Sequence, residues 1–176
     1  MLKAMAENLP YPDLSGIKPS FKDAAVISPA YADIHSELTA ILQYLFHSLA
    51  FSEQGDDQNA RLLMSIAVAE MRHLNLLGEA LSRLGISPVF SRRPPNKCEF
   101  FSAGCVDYCT SPAAMLASDI AGESEAIRIY ECILVKLSDK TLIDLISRIV
   151  LDEKMHLAAL KSAYRELVGG NKKGVE

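Results

Sequence analysis

Tryptophan is absent from this sequence, and the four cysteines form no Cys-x-x-Cys pair. Basic residues form no patch along the chain, and the net charge of −4 does not indicate a surface that binds nucleic acid. No segment has the length and apolar character of a signal peptide or a membrane span. The residues therefore predict a cytoplasmic protein without nucleic-acid or membrane partners, in which cysteines stay as thiols.

The cysteines also lack the spacing of a familiar metal motif. Cys98, Cys105 and Cys109 lie in one proline-containing stretch, separated by six and three residues. Those intervals match no common zinc site. A second metal site and a thiol reductant in this stretch are both left open by the sequence.

Apolar residues are what the chain has in abundance: 49% of its 176 residues are hydrophobic and 23% are charged. This balance predicts one globular domain with a core of its own. Residues 1–28 contain three prolines and a glycine, so we expect an extended N-terminal arm there. Residues 169–176 are expected to form a flexible tail.

Four segments between the arm and the tail carry apolar residues at helical spacing. The first is predicted to start with Ser28 as N-cap and Pro29 in the first turn, and to run to about residue 53. The second ends at Gly85, and the third starts at Ser111–Pro112. Short turns join the helices of each pair, and a long connection joins the pairs. Residues 29–168 therefore predict an all-α four-helix bundle with one long crossover between helices 2 and 3.

Two of these helices carry the same motif. EMRH covers residues 70–73 and EKMH covers residues 153–156, each within an apolar helical pattern. Glu70 and Glu153 have mainly apolar residues three, four and seven positions away, on the same helix face. A charged glutamate among apolar neighbours is costly unless something pairs with it.

The other two helices each supply one glutamate in a similar setting. Glu37 and Glu123 also have mostly apolar neighbours at helical spacing, whereas Glu79 and Glu125 have polar ones and read as solvent-facing. The order Glu, Glu-x-x-His, Glu, Glu-x-x-His indicates an internal duplication of a helix pair. Four buried carboxylates would resist ionisation, but two divalent cations would balance them. With two imidazoles, the oxygen and nitrogen donors suit Fe or Mn.

At these residues the sequence resembles the ferritin-like superfamily, particularly rubrerythrin and bacterioferritin. The segments that carry the resemblance are SELTAILQYLFHS, AGESEAIRIYE and LDEKMH, within residues 29–168. The resemblance implies terminal carboxylate ligands at Glu37 and Glu123 and bridging ligands at Glu70 and Glu153. It also implies that His73 and His156 each ligate one metal ion.

The sequence departs from those families at several points. It has no rubredoxin domain, so electrons would come from a separate donor protein. Ala126 stands where rubrerythrins carry a further glutamate, which puts their redox-linked metal movement in doubt here. Met71 matches the haem-binding methionine of bacterioferritin, but a methionine at a helix interface usually packs in the core or against a partner, so haem is not expected. A homodimer is expected by analogy with the superfamily.

Residues next to the ligands are candidates for supporting roles. Asp152 is expected to accept a hydrogen bond from His73, whereas Ala69 leaves His156 without an equivalent partner. We therefore expect the two metal positions to differ in affinity. Further candidates are Tyr44, Tyr130 and Asp119. His35 and His47 lie off the Glu37 face and are interpreted as peripheral.

The resemblance favours a rubrerythrin-like oxidoreductase that reduces hydrogen peroxide or oxygen at a carboxylate-bridged di-iron site. The expected cofactors are two Fe ions, with Mn or mixed Fe/Mn as alternatives. The alternative functions are a ferritin-type ferroxidase for iron storage, a manganese catalase and a non-catalytic metal-binding structural protein.

Overall fold

The computed structural model describes residues 3–95 and 99–170, and most of these residues are helical. Cys98, one of the cysteines singled out above, lies outside the described residues. The helices are α1 (Phe21–Ala32), α2 (Glu37–Glu53), α3 (Asp57–Arg83), α4 (Pro112–Leu134) and α5 (Lys140–Gly170). Two short 3-10 turns at Leu14–Gly16 and Ala103–Cys105 complete the regular structure of this part of the chain.

Helices α2 to α5 form a four-helix bundle made of two hairpins. The closest packing is between α2 and α3 and between α4 and α5. A crossover of residues 84–111 connects the two hairpins and contains an isolated bridge between Ser91 and Phe100. The predicted all-α bundle with one long crossover is therefore confirmed. Within the described residues no helix is both long and apolar enough to span a membrane.

Short polar side chains define where the bundle helices begin. Ser36 caps α2 by accepting a hydrogen bond from the Thr39 backbone, and Asp56 caps α3 in the same way through Asn59. Helix α4 starts at Pro112 after Ser111, as its sequence predicts. Gly85 follows α3 with φ of +88°, a conformation that glycine adopts without strain.

The predicted start of the first helix is wrong. Helix α1 has Ser20 as its N-cap and covers Phe21–Ala32, so residues 21–28 are helical where an extended arm was expected, and Pro29 lies inside the helix. Ser28 is not an N-cap, because its hydroxyl donates to the Ala24 carbonyl one turn earlier. The Ser-Pro pair therefore marks the last turns of a separate helix, which ends three residues after a proline that cannot donate a backbone hydrogen bond.

The apolar core consists of two clusters separated by a polar layer. One cluster joins α1 to α3, α4 and α5, with Ile27, Leu77 and Ile146 at its centre. The other joins α2 to α3, α4 and α5, around Phe51 and Leu63. Each such buried side chain contributes roughly 1.5–3 kcal/mol to folding. The two clusters hold the bundle together on both sides of the glutamates and histidines between them.

Helix α1 packs closely on α3 at Gly78. A Cβ atom there would lie 3.3 Å from Cε2 of Tyr31, whose hydroxyl donates to the Pro88 carbonyl at 3.0 Å. We expect Gly78→Leu to lower the free energy of unfolding by about 1–3 kcal/mol, because the larger side chain must displace α1. Chemical denaturation measures this change.

The matched control is Gly122→Ala in α4, where an added Cβ meets no atom within 4 Å. Alanine should raise the stability there by up to about 1 kcal/mol, since it is the better helix former. Equal stability changes for the two variants would contradict close packing of α1 on α3.

Candidate metal centre

Six side chains from the four bundle helices meet in the polar layer. All are at most 4% exposed: Glu37 from α2, Glu70 and His73 from α3, Glu123 from α4, and Glu153 and His156 from α5. They form two groups of four, in each of which one ligand atom per residue lies within 4.8 Å of the others. One group holds Glu37 and His73, the other holds Glu123 and His156, and both contain Glu70 and Glu153.

The helix register explains this convergence. Each histidine follows its glutamate by three residues, so both side chains lie on one face of the helix. Glu37 is the first residue of α2, where the Ser36 cap sets the direction in which the helix enters the bundle. Asp33 and Ile34, which the sequence pattern places on the same face, lie in the break between α1 and α2 instead.

His73 directs one ring nitrogen at the glutamates. Its Nδ1 lies 2.8 Å from Glu70, 3.1 Å from Glu153 and 3.6 Å from Glu37. Its Nε2 points the other way and lies 3.1 Å from Oδ2 of Asp152. The ring is therefore held between the carboxylate cluster and a second acidic residue, which orients it as metal-bound histidines are commonly oriented.

His156 has the same arrangement with a different outer partner. Its Nδ1 lies 2.8 Å from Glu70, 3.6 Å from Glu123 and 3.8 Å from Glu153. Its Nε2 lies 2.7 Å from the backbone carbonyl of Met5 in the N-terminal arm. The two rings stack with centroids 6.0 Å apart.

Two buried tyrosines hold the outer glutamates in a crossed pattern. Tyr44 of α2 donates to Glu123 of α4, and Tyr130 of α4 donates to Glu37 of α2. Burial raises the pKa of both phenols, and the neighbouring carboxylates raise it further. Both hydroxyls therefore keep their protons and act as hydrogen-bond donors at neutral pH.

The four glutamates are of two kinds: two have a raised pKa and two have a lowered pKa. Burial, reinforced by Glu70 and Glu153, raises the pKa of Glu37 well above its usual value, and burial and Glu153 do the same to Glu123. Burial also opposes ionisation of Glu70, but the two imidazoles outweigh it and lower the pKa of Glu70. The balance at Glu153 is similar, and its pKa is lowered.

The histidines complete the charge balance. Burial disfavours their charged form, but Glu70 and the other carboxylates outweigh it and raise the pKa of His73 and His156 well above the usual value. These directions favour protons on Glu37, Glu123 and both histidines and negative charge on Glu70 and Glu153 in the absence of metal. Four such protons would make the cluster neutral.

The same atoms fit two divalent cations. Within the described residues, the buried oxygen Glu123 Oε2 has no hydrogen-bond partner, and Glu70 Oε1 and His156 Nδ1 face each other at 2.8 Å without forming a well-aligned hydrogen bond. Four carboxylates and two neutral imidazoles would balance two divalent ions without added protons. Oxygen donors with imidazole nitrogen suit Fe or Mn.

Asp152 is the centre of a hydrogen-bond network beside His73. Burial alone would raise its pKa, but hydrogen bonds from His73, Tyr11, Arg148 and the Glu7 backbone lower it. The Tyr11 hydroxyl donates to Oδ2 at 2.6 Å, and the Glu7 amide donates to Oδ1 at 2.7 Å. Asp152 therefore remains a carboxylate that accepts from His73.

The N-terminal arm is part of the centre, which the sequence interpretation missed. Arg148 of α5 donates to the carbonyls of Glu7 and Leu9 and forms an ion pair with Asp152 at 2.7 Å. Its guanidinium also lies 4.5 Å from the ring centroid of Tyr11. The arm thereby covers α3 and α5 behind both histidines. Arg148 lies one turn before Asp152, so this ion pair was visible in the sequence, but the contacts of the arm were not.

A cavity of about 490 Å³ reaches the cluster from the opposite side, between α2, α4 and the crossover. Its lining includes all four glutamates and both tyrosines, but neither histidine. On the α4 side the wall contains Gly122 and Ala126. Glycine has no side chain and alanine has only a methyl group, so space is left next to Glu123. Small molecules can therefore approach the carboxylate side of the cluster.

Four other residues singled out in the sequence lie outside the six-residue cluster. Asp119 is fully buried but contacts His47 and Gln43 rather than the six residues. The interpretation of His47 as peripheral is wrong, because the crossover covers it and leaves it 0% exposed. Met71 is 46% exposed on α3, which excludes packing in the core of this chain. His35 is exposed at the cavity mouth.

Comparisons with known proteins agree with this architecture. A profile of the ferritin-like domain matches residues 31–168. A search by sequence among curated proteins gives no match.

Solved structures of low sequence identity share the fold. A manganese catalase from Anabaena is 18% identical, with a TM-score of 0.79 over 92% of this chain and 79% of that chain. The Desulfovibrio desulfuricans bacterioferritin, described with a diiron site, is 23% identical, with a TM-score of 0.71 over 84% and 81% of the two chains. A dodecameric thioferritin from Bacteroides fragilis is 18% identical, with a TM-score of 0.71 over 93% and 96%.

The profile match covers most of the chain and includes all six clustered residues. The chain therefore belongs to the ferritin-like domain family.

Proposed function

We propose that the protein binds two divalent metal ions and acts as an oxidoreductase that reduces hydrogen peroxide, with oxygen as the alternative oxidant. The observation that carries this proposal is the pair of four-residue groups sharing Glu70 and Glu153 at the end of an open cavity. A shared carboxylate pair is what two metal ions at one site require. The cavity gives a small oxidant a route to them.

Each residue has a defined task in this proposal. Glu37 and Glu123 would each hold one ion, Glu70 and Glu153 would be shared by both ions, and His73 and His156 would each bind one ion. When bound, a pair of Fe or Mn ions supplies redox chemistry in two-electron steps. Peroxide reduction consumes two electrons and two protons and yields two water molecules. A separate donor protein supplies the electrons.

The surrounding side chains control geometry and water. Tyr44 and Tyr130 donate to the terminal carboxylates and fix the direction of their remaining oxygens. Asp152 and the Met5 carbonyl hold the imidazole rings from behind. The two apolar clusters exclude water above and below the polar layer, so the cavity is the route by which solvent reaches the glutamates.

Oxidation of Fe(II) for storage is the second candidate. The cavity lining includes Asp107 and Glu125 in addition to the four buried glutamates, and carboxylates attract entering cations. With Mn bound, the same centre would instead disproportionate peroxide, as a catalase does. A non-catalytic metal-binding role would leave the metal unchanged by peroxide.

We also propose a homodimer formed through the outer faces of α2 and α3. Leu45 and Leu49 of α2 and Met71 of α3 are all exposed. Large exposed apolar patches mark protein contact surfaces, and these three side chains lie on two helices that pack side by side. A sizing column distinguishes this dimer from the hollow assembly that iron storage would need.

The first test is metal content followed by reaction with peroxide. Protein purified without added metal should contain about two Fe per chain. After anaerobic reduction, stoichiometric peroxide should reoxidise the iron without releasing oxygen, as followed by the visible spectrum and an oxygen electrode. Oxygen release by a Mn-containing protein would instead indicate a catalase, and bound metal inert to peroxide would contradict the enzyme proposal.

Access through the cavity is tested with Ala126→Leu, which fills the space beside Glu123. We expect kcat/KM for peroxide to fall about tenfold or more, equivalent to a barrier higher by about 1.4 kcal/mol, with unchanged metal content. Ala117→Leu is the matched control, since Ala117 is exposed on the same helix and does not line the cavity. Equal rates for both variants would mean that the oxidant does not enter by this route.

Metal loading should release protons. Because Glu37, Glu123 and both histidines have raised pKa values, two divalent ions would displace up to about four protons per chain near pH 6. Fewer protons remain to be displaced at higher pH, so metal affinity should rise with pH. A pH indicator in weakly buffered solution measures the release.

Two Glu→Gln variants, one at a buried residue of the cluster and one at the surface, test this prediction. Glu123→Gln should release fewer protons than the wild type, whereas Glu79→Gln, at a surface position paired with Arg83, should release the same number. Metal affinity independent of pH would contradict protonation of the metal-free cluster.

The two metal positions should bind with unequal affinity. His73 has a carboxylate behind it and His156 has only a carbonyl, so we expect Asp152→Asn to weaken the His73 position by about 10–100-fold. The His156 position should change less. Stepwise titration of the metal-free protein resolves the two steps, and Asp144→Asn on the exposed face of α5 is the control. Two equal steps in the wild type would overturn this prediction.

A further inference from the structure

A second group of potential ligands lies outside the six-residue cluster. His47 of α2, together with Asp107 and Cys109 of the crossover, places one ligand atom per residue within 4.8 Å of the others. None of the three belongs to the two groups described above. They join the buried face of α2 to a segment without regular structure just before α4.

The His47 ring is oriented by a buried carboxylate. Its Nδ1 lies 2.9 Å and 3.1 Å from the two oxygens of Asp119, and both residues are 0% exposed. Gln43 donates to the same carboxylate at 2.9 Å and holds it in place. Donation from Nδ1–H to a carboxylate fixes the tautomer that leaves Nε2 free to ligate a metal ion.

The second ring nitrogen faces the crossover. Nε2 of His47 lies 3.0 Å from the Asp107 carbonyl and 4.0 Å from the Cys109 thiol sulfur. The carbonyl accepts a hydrogen bond from Nε2 only while that nitrogen carries a proton, and a bound cation would replace this proton. Typical Zn–N and Zn–S bonds together span about 4.3 Å. A separation of 4.0 Å is therefore within reach of one ion bound to both atoms.

The Asp107 side chain is held close to this pair. Its Oδ1 accepts from the Cys109 amide at 2.9 Å, and the Asp107 amide donates to Gln43 at 3.1 Å. Gln43 thus contacts both the carboxylate behind His47 and the segment in front of it. With a neutral imidazole, a thiolate and a carboxylate, the ligand set would carry a charge of −2, which a divalent cation would balance.

We propose that His47, Asp107 and Cys109 form a mononuclear site for a thiolate-binding divalent cation such as Zn²⁺, oriented by Asp119. The cation neutralises the thiolate and the carboxylate, and water completes the coordination. Imidazole and thiolate ligands distinguish this site from the six-residue cluster, which contains no sulfur. The inference does not depend on the proposed function.

The proposed site also connects α2 to the crossover at the edge of the cavity. Asp107 lines the mouth of the cavity that reaches the glutamates. A bound cation ties this part of the crossover to α2 and so holds one wall of the cavity. Cys109 is partly buried and Cys132 is exposed, so the two thiols differ in environment and serve as probe and control.

Cobalt(II) is the probe, because only a thiolate ligand gives it a sulfur-to-metal charge-transfer band. Titration of the full-length metal-free protein under reducing conditions should produce this band with an intensity that corresponds to about one thiolate-bound Co²⁺ per chain, since each cation takes a single thiolate. Co²⁺ held by the six-residue cluster gives no such band, because that cluster contains no sulfur. The band should be lost in Cys109→Ser and retained in Cys105→Ser and Cys132→Ser. Asp119→Asn should weaken Co²⁺ binding at this site by about 10–100-fold.

Alkylation of the thiols gives a second readout that needs no variant. Zn²⁺ should slow modification of Cys109 by iodoacetamide, while modification of Cys132 continues at its original rate, as followed by mass spectrometry. If no charge-transfer band forms and Zn²⁺ leaves Cys109 unprotected, the proposal is wrong. The contact of His47 with the crossover is then a hydrogen bond only, whatever the six-residue cluster binds.

Discussion

The repulsion among four buried carboxylates governs the centre of this protein. Glu37, Glu70, Glu123 and Glu153 would be too costly to bury together with four negative charges. The raised pKa values of two glutamates and both histidines favour protons that reduce this charge, and the two divalent cations proposed above would replace those protons. The tyrosine donors and the outer partners of the histidines are arranged around these six residues. The apolar clusters on either side provide the stability that such a polar layer does not.

The two helix hairpins carry the same residue types at the same spacing, but the residues around them differ. Tyr44 follows Glu37 and Tyr130 follows Glu123 by the same number of residues, and each bonds to the glutamate of the opposite hairpin. The two hairpins differ in the outer partners of the histidines. Asp152 of α5 accepts a hydrogen bond from His73, whereas the methyl group of Ala69 cannot accept one from His156. The backbone of the N-terminal arm supplies the missing acceptor through Met5.

The repeated glutamate and histidine spacing was sufficient to predict the bundle and to bring six particular residues together, because helix periodicity is local. The limits of that reasoning have physical causes. Ser28–Pro29 satisfies the local rule for a helix start, yet Ser20 caps an earlier helix that packs on α3. The burial of His47 depends on where the crossover lies, and the Met5 contact joins residues 151 positions apart. Neither follows from the period of a single helix.

The polar layer has one closed side and one open side. The arm, Tyr11 and Arg148 cover the histidine side, where the imidazoles are held by Asp152 and the Met5 carbonyl. The cavity reaches the glutamate side, where its wall includes Gly122 and Ala126. If metal ions bind as proposed, the imidazoles would be the ligands held in a fixed orientation by hydrogen bonds from behind, and the carboxylates, which can bind in more than one mode, would be the ligands that face the cavity. A molecule that enters the cavity would then meet the carboxylates before the imidazoles.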